Sequence, residues 1–585
     1  MVRYVRISVE KMSPADKSRV PKERKEFSEV LTAPAHSILM VSEWMSTLTG
    51  RRLDLVFWIA LLLIAAFGIY AAPHPVHRWM LDTFLFLDGG WRILNGQRPY
   101  ADFPTGIGPV PFQLIAFGML LSGGGPAGVD LGFLSGGLIL GIWCWYLGKH
   151  RLDSPAALLL ALFVAVFTFA PHSIGSRPST LTYASIYNRL GYSMLFLVVL
   201  ETAIPSRLPG RQANWIGPVS SGILCALLIF VKPSFFLVAA VILLACLLFV
   251  DNRDACRVPA LIAGFAAAFL AMMAYLRFDF TLVVRSLATV AASRVQAKSG
   301  DPRSDVGLVP LLKHAADKTA PFVGLLLLAW IVAALPCAFR ARRLWGDWWP
   351  VAAAAVVCGI ESLFLMTNGT QESVPMLGVF ALLLVSQIST WYRSAAEDQR
   401  NRYGLVCGLG LLVGFVLFLP DFAGDFASLA YVAEQEAMGP RPTAYFAPSR
   451  LQTLATREVH PDWDEPSNDK YIRQVNDGLD LLRKNSSSEE SIFALDYVNP
   501  FSYALARKPA IGGGPYTSGG LFNPSRMPSP YWFLGHTNIL MIPKDAPYPD
   551  RVEWLQSMFG NYIQQHFAIV AESPSWLLLR RKKMN

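Results

Sequence analysis

The chain of 585 residues is short of charge. Asp, Glu, Lys and Arg make up 16% of it, against 53% hydrophobic residues. With a mean hydropathy of +0.37, this excludes an ordinary soluble protein and fits a polytopic membrane protein. Cysteine is scarce as well. The seven cysteines, Cys144, Cys225, Cys246, Cys256, Cys337, Cys358 and Cys407, all lie in or beside apolar segments. They offer neither zinc-ligand spacing nor a disulfide framework. Familiar catalytic signatures are missing too. Gly512-Gly513-Gly514 lacks the Lys-Ser/Thr that completes a P-loop and reads as a turn, and neither His-Glu-x-x-His nor Gly-x-Ser-x-Gly occurs. The first fifty residues hold no continuous apolar run, so no cleavable signal peptide is expected and the first spanning helix directs insertion. There is no internal repeat and no extended low-complexity stretch.

Positive charge is present, at a net +9, but in short clusters between apolar segments rather than in one patch. That arrangement follows the positive-inside rule and argues against nucleic-acid binding. Apolar segments of spanning character occur at 53–72, 127–147, 155–171, 190–204, 217–231, 234–250, 258–276, 321–338, 350–366, 375–391 and 403–420. A further one, 107–121, is ambiguous. If it is re-entrant or lies on the surface, then Arg51/Arg52, Lys149/Arg151, Arg207/Arg211, Arg253/Arg257, Arg340/Arg342/Arg343 and Arg393/Arg400/Arg402 share one side. If it crosses, the rule fails at every later cluster. The expected architecture is therefore an all-α polytopic membrane domain of about eleven transmembrane helices, with a C-terminal periplasmic α/β domain. Residues 1–50 form a basic cytoplasmic segment, 51–420 the membrane domain with an outer loop at 73–126, and 421–585 the outer domain. The last carries a helix near 468–484 and strand-like runs SIFALDYV, TNILMIP, HFAIVAE and SWLLLRR.

The most informative stretch is 77–113, HRWMLDTFLFLDGGWRILNGQRPYADFPTGIGPVPFQ. Met80, Phe84, Leu87, Trp91 and Leu94 recur at helical spacing and make one apolar stripe, with Asp82 off it. Such a helix is expected along a membrane surface, its aromatics in the interface. Gly96, Pro99 and Pro104 then end it. On residues alone, Asp82 is either an exposed acid at a helix start, where the dipole favours it, or a carboxylate held at the membrane–water boundary for proton transfer. Asp88 and Arg92, four apart, read as a surface ion pair. Asp102 either caps the Pro-Tyr turn or orients a sugar. His74 and His77, three apart just before Asp82, could bind a metal, though histidines at a membrane boundary are more often interfacial residues.

An Asp just outside the first spanning helix, an amphipathic helix and then G-x-x-P-Y (Gly96 to Tyr100) resemble membrane glycosyltransferases of the GT-C class. These are similar to bacterial enzymes that take a sugar from a polyprenyl-phosphate carrier. The resemblance is sharpest over residues 82–112. It implies a sugar transferred by inversion from a polyprenyl-phosphate donor to a lipid, glycan or protein acceptor on the outer side of a bacterial inner membrane. It also implies Asp82 as the catalytic base, no nucleic-acid partner, and membrane lipids around the chain. The chain departs from relatives with an Asp-Glu pair, because Thr83 stands where their Glu would be. It also lacks the Lys that some carry before a Pro-Pro pair. No cofactor is called for; a divalent metal has no support beyond the two histidines.

A leaving lipid phosphate needs cations, and Arg189, Lys232, Arg285, Arg294 and Lys298 are available on the expected outer face. Lys232 stands out because Lys232-Pro233 interrupts two apolar runs; its other reading is a lysine snorkelling to headgroups. Glu361 lies inside an apolar run, and Gln371 in the following loop could line the same cavity. Tyr100 and Asp102 complete the substrate-binding candidates. Two other readings stay open: a polysaccharide ligase or polymerase of similar architecture, and a lipid or solute transporter. A transporter should show paired halves and broken helices near the midplane, whereas the polar residues here gather at one rim.

Overall fold

Every expected apolar segment that falls among the described residues is helical. The computed structural model describes residues 50–204, 206–207, 211–249, 256–295, 371–373, 375–394, 397–437, 444–454, 468–517 and 528–583. The expected spans 321–338 and 350–366, the segment 1–49, Lys298 and Glu361 lie outside the described residues. The helices are α1 (Gly50–Tyr70), α2 (Met80–Leu94), α3 (Pro109–Leu121), α4 (Gly128–Gly148), α5 (Ser154–Phe169) and α6 (Ile186–Ala203). Then follow α7 (Arg211–Val231), α8 (Pro233–Phe249), α9 (Arg257–Tyr275), α10 (Phe280–Val295), α11 (Pro375–Ser394) and α12 (Glu397–Ala437). Arg257–Tyr275, Gly128–Gly148, Arg51–Tyr70 and Gly414–Ala437 are long and apolar enough to cross a membrane.

Two features differ from the sequence expectation. Residues 280–295 form α10 where a loop is expected. And α12 does not stop at 420: Pro420 sits inside a helix of 41 residues that ends at Ala437. A proline removes one backbone donor but does not end a helix whose neighbours still pack.

The ends of the bundle are distinguishable. At one end Asp54 pairs with Lys149, Arg257 and Arg151 both reach Glu201, and the Arg207 N–H donates to the His150 carbonyl. The basic clusters of α1, α4, α7 and α9 therefore share an end. At the other end His74, just after α1, bonds to Asp130 at the start of α4. The α2–α3 segment thus leaves and returns at the same end. Helix α3 has 13 residues, about 20 Å of helix, against the roughly 30 Å of a hydrocarbon core.

Close helix contacts rest on glycine. A Cβ on Gly118 would lie 2.0 Å from the Gly128 carbonyl, binding α3 to α4, and one on Gly222 would lie 2.1 Å from the Leu261 carbonyl, binding α7 to α9. Membrane helices approach most closely through such small residues.

The C-terminal region contains α13 (Asn468–Asn485), β1 (Ile492–Ala494), a single turn α14 (Phe501–Ala504), α15 (Pro530–Leu534), β2 (Ile539–Pro543), α16 (Pro549–His566), β3 (Phe567–Glu572) and β4 (Trp576–Arg581). The four strands run in the order β1-β2-β4-β3, parallel for β1/β2 and antiparallel elsewhere. Alternation sorts their side chains. Phe493, Leu540, Ile542 and Leu579 pack with Val552, Leu555 and Phe559 of α16. Ile492, Ala494, Ile539, Met541 and Leu578 face the core shared with α13 and α2. The result is a small α/β unit seated on the membrane domain.

Candidate functional site

Helix α2 is where the two parts meet. Its stripe is buried as the spacing requires, with Met80, Phe84 and Leu87 at 1% exposure or less. Off the stripe Leu81, Thr83, Leu85, Phe86 and Asp88 are buried as well, and the stripe's own aromatics meet protein, which corrects the expectation of a helix with its aromatics in lipid. Trp91 Nε1 donates to the Arg507 carbonyl at 2.8 Å, and the Phe84 ring meets those of Phe446 and Tyr471. A Cβ on Gly89 would lie 2.3 Å from the Phe112 ring, so α3 presses directly on the helix backbone. Periodicity within one helix carries no information about a domain 400 residues on.

The Asp88–Arg92 pair also differs from expectation. It is fully buried, not on the surface, with Arg92 Nε 2.7 Å from Asp88 Oδ2. Arg92 donates further to the Ala510 carbonyl at 2.8 Å and to Gln97 Oε1 at 3.0 Å, and Gln97 donates to the Pro509 carbonyl. The pair clamps the two parts together.

Asp82 is half-buried in the first turn of α2. The hydroxyl of Tyr497, from the loop after β1, reaches Asp82 Oδ1 at 3.4 Å. That is longer than the O–H···O optimum of about 2.7–2.8 Å, so it orients the carboxylate weakly. Lost hydration, then the Asp82 charge, pushes the Tyr497 phenol well above its ordinary pKa and keeps it a donor. Beside it, burial pushes the Asp496 carboxyl up to about 7, offset in part by the bond from the Tyr497 N–H. Tyr471 is raised too, by burial and then by Asp496. The sequence does not single out Tyr497 or Asp496; they belong to the run SIFALDYV, which reads simply as a strand.

The G-x-x-P-Y turn lies against the same domain. Gly96 has φ +79 and Tyr100, which is buried, has φ +70. Asp102 Oδ2 accepts the Arg98 N–H at 2.7 Å and sits 3.6 Å from its guanidinium, while the Asp102 carbonyl accepts the Gly512 N–H at 2.7 Å. Asp102 thus caps its turn. Gly512, at φ +97, must be glycine, since a Cβ would lie 2.0 Å from the Trp532 carbonyl. The triple glycine is a docking turn.

Lys232 occupies the break between α7 and α8. Its Nζ lies 3.4 Å from Asn188 Oδ1 and 5.5 Å from the centre of the Tyr187 ring, which in turn meets Phe86 of α2. Among the described residues Asn188 Nδ2 and Ser234 Oγ have no hydrogen-bond partner there. Phe86 is one turn beyond Asp82, so the Lys232 group meets the helix of the carboxylate through the Tyr187 and Phe86 rings.

The other candidates are placed differently. Arg189 is buried and bound to Asp425 at 2.8 Å, with further donation to the His172 and Phe167 carbonyls. Gln371 donates to the Tyr192 hydroxyl at 2.6 Å and to the Ser373 carbonyl, and Ser373 donates to Asp421. These residues lock the 170–185 loop to α12. Arg285 is exposed on α10, the helix that also carries Arg294. His74 Nδ1 contacts Asp130 at 2.6 Å, and His77 Nδ1 contacts the Ser179 carbonyl. Among the described residues no group of three or more His, Cys, Asp or Glu side chains could hold a metal.

No protein-family model and no curated protein sequence matches the chain. Two crystal structures of ArnT from Cupriavidus metallidurans are similar to it, each at 11% identity and a TM-score of 0.39. The one bound to undecaprenyl phosphate aligns over 91% of this chain and 98% of its own. The apo state aligns over 90% and 97%. The likeness is one of the whole chain, and no residue's role is drawn from it.

Proposed function

We propose that the chain is a membrane glycosyltransferase of the GT-C class. It transfers a sugar from a polyprenyl-phosphate donor to an acceptor at the face that carries α2 and the C-terminal domain. The observation that carries this reading is Asp82: a half-buried carboxylate on a helix roofed by the C-terminal domain, with a protonated tyrosine at 3.4 Å. The resemblance of residues 82–112 to GT-C enzymes supports it further.

In this reading Asp82 takes the proton of the acceptor hydroxyl as its oxygen bonds to the anomeric carbon. The bond from that carbon to the phosphate oxygen breaks, and the polyprenyl phosphate leaves with inversion of configuration. General-base assistance of this kind contributes typically about 10²–10⁴ in rate. The departing phosphate gains negative charge, which Lys232 and the Nδ2 hydrogens of Asn188 are suited to receive. Arg189 is not needed for that task, since Asp425 already holds it. The face in question is the outer one of a bacterial inner membrane, because the basic clusters gather at the opposite end.

The test compares the lipids and surface glycans of cells with and without the protein by mass spectrometry. Loss of one sugar increment, with the donor lipid accumulating, is the expected result. Unchanged glycans and donor pools would contradict it.

A further inference from the structure

The C-terminal domain carries two aromatic groups of different character. Phe493, Phe533 and Phe559 stack in its core, fully buried. Tyr497, Tyr516 and Tyr548 form a second cluster, all half-buried. Tyr497 meets Tyr548 at 5.4 Å and Tyr516 at 6.3 Å, both edge-on. The guanidinium of Arg551 lies 5.4 Å from the Tyr497 ring and 5.6 Å from that of Tyr548. Three separate stretches of chain supply these groups: the loop after β1, the segment after the triple glycine, and the start of α16. The cluster thus combines three phenol rings with a guanidinium, where the Phe493 group is apolar throughout. Among the described residues no carboxylate pairs with Arg551.

Position decides what the cluster serves. Tyr497 belongs both to it and to the Asp82 contact. A group whose hydroxyl presents its proton to Asp82 therefore lies against these tyrosines. The Lys232 side chain meets α2 by another route, through Tyr187 and Phe86. The two groups that meet α2 are thus chemically distinct, one cationic and set among the bundle helices, the other aromatic and formed by the C-terminal domain. Sugar rings present flat C–H faces that pack on aromatic rings, while tyrosine hydroxyls bond to their edges.

We infer that Tyr497, Tyr516, Tyr548 and Arg551 form the acceptor subsite and bind a sugar ring bearing an anionic group. This deepens the transferase reading and rests on it. The rings hold the acceptor sugar face, and Arg551 pairs with a carboxylate or phosphate on it. The acceptor is accordingly a glycan or glycolipid rather than a bare protein hydroxyl.

Saturation-transfer NMR on the full chain in lipid nanodiscs tests this without needing turnover. The probes are maltotriose, trigalacturonate and glucose 6-phosphate. Trigalacturonate or glucose 6-phosphate should receive saturation at its ring protons at least threefold above maltotriose. Which of the two does so distinguishes a carboxylate from a phosphate. Arg551→Gln should abolish that preference, and Tyr548→Ala should lower the signal at least fivefold, with thermal melting of both variants unchanged. Tyr548→Phe, which keeps the ring, should retain most of it. Signals no greater than those from empty nanodiscs, or equal in Tyr548→Ala and the parent, would overturn the subsite. Failure of the transferase reading would look different: the anionic sugar would still bind, while polyprenyl phosphate would never be released.

Discussion

Arg92 and Ala510, 418 residues apart in sequence, are joined by a 2.8 Å hydrogen bond from the guanidinium to the carbonyl. The same guanidinium neutralises Asp88, so a single buried side chain holds both the α2 carboxylate and the docking turn of the C-terminal domain. Removing it leaves a carboxylate buried and uncompensated, and removing one partner of such a pair costs about 3–5 kcal/mol. Arg92→Ala should therefore lower the melting temperature sharply and expose the C-terminal domain to protease. Replacing both partners, Asp88→Leu with Arg92→Met, should recover most of the loss. Arg98→Ala should cost at most about 1 kcal/mol, because its pair with Asp102 is longer and partly exposed. Thermal unfolding and limited proteolysis of the purified variants give the comparison.

Asp496 predicts a pH dependence. Its carboxyl is held up to about 7 in the folded chain by burial, against roughly 3.9 when unfolded. The folded state therefore binds the extra proton between those values. The stability this supplies is fully present below about 4 and lost as pH rises through 7. The slope is at most about 1.4 kcal/mol per pH unit. Asp496→Asn should remove that slope, so parent and variant melting curves should diverge in favour of the variant from pH 4 to 7. Parallel curves across this range would mean that Asp496 is ionised throughout.

Lys232 predicts a selective loss. Hydrogen bonds to charged groups contribute about 1.5–3 kcal/mol, roughly 10- to 150-fold in affinity. Lys232→Met should weaken binding of undecaprenyl phosphate to the purified protein by that factor while its melting temperature stays within about 1 °C. Arg189→Met should do the reverse, destabilising the chain because Asp425 loses its guanidinium partner and keeps only the His172 ring at 3.0 Å. Unchanged lipid affinity in Lys232→Met would assign that lysine to headgroup contact alone.

Much of the fold is legible from residue order. The apolar segments become helices, and the strand-like runs after 490 each supply a strand, because both patterns are local. The return of α2–α3 to one end is also legible, through the charge clusters that flank later helices. What the sequence hides is the partner of each polar group. Asp88 at four residues from Arg92 looks the same whether solvent or Ala510 lies above it. Arg189 looks like an available cation until α12 brings Asp425 beside it. Tyr497 has no local signal at all, because its role exists only once β1 has carried it to the start of α2.

The account turns on Asp82 as the base, and Asp82→Asn tests this most directly. Asn keeps the shape of the side chain and can still meet the Tyr497 hydroxyl, so folding and undecaprenyl phosphate binding should match the parent. The carboxylate that accepts the proton is gone. Release of polyprenyl phosphate, measured in purified, monodisperse preparations supplied with lipid-linked sugar and membrane-extracted acceptor, should fall by about 10²–10⁴. Turnover at the parental rate would contradict the account.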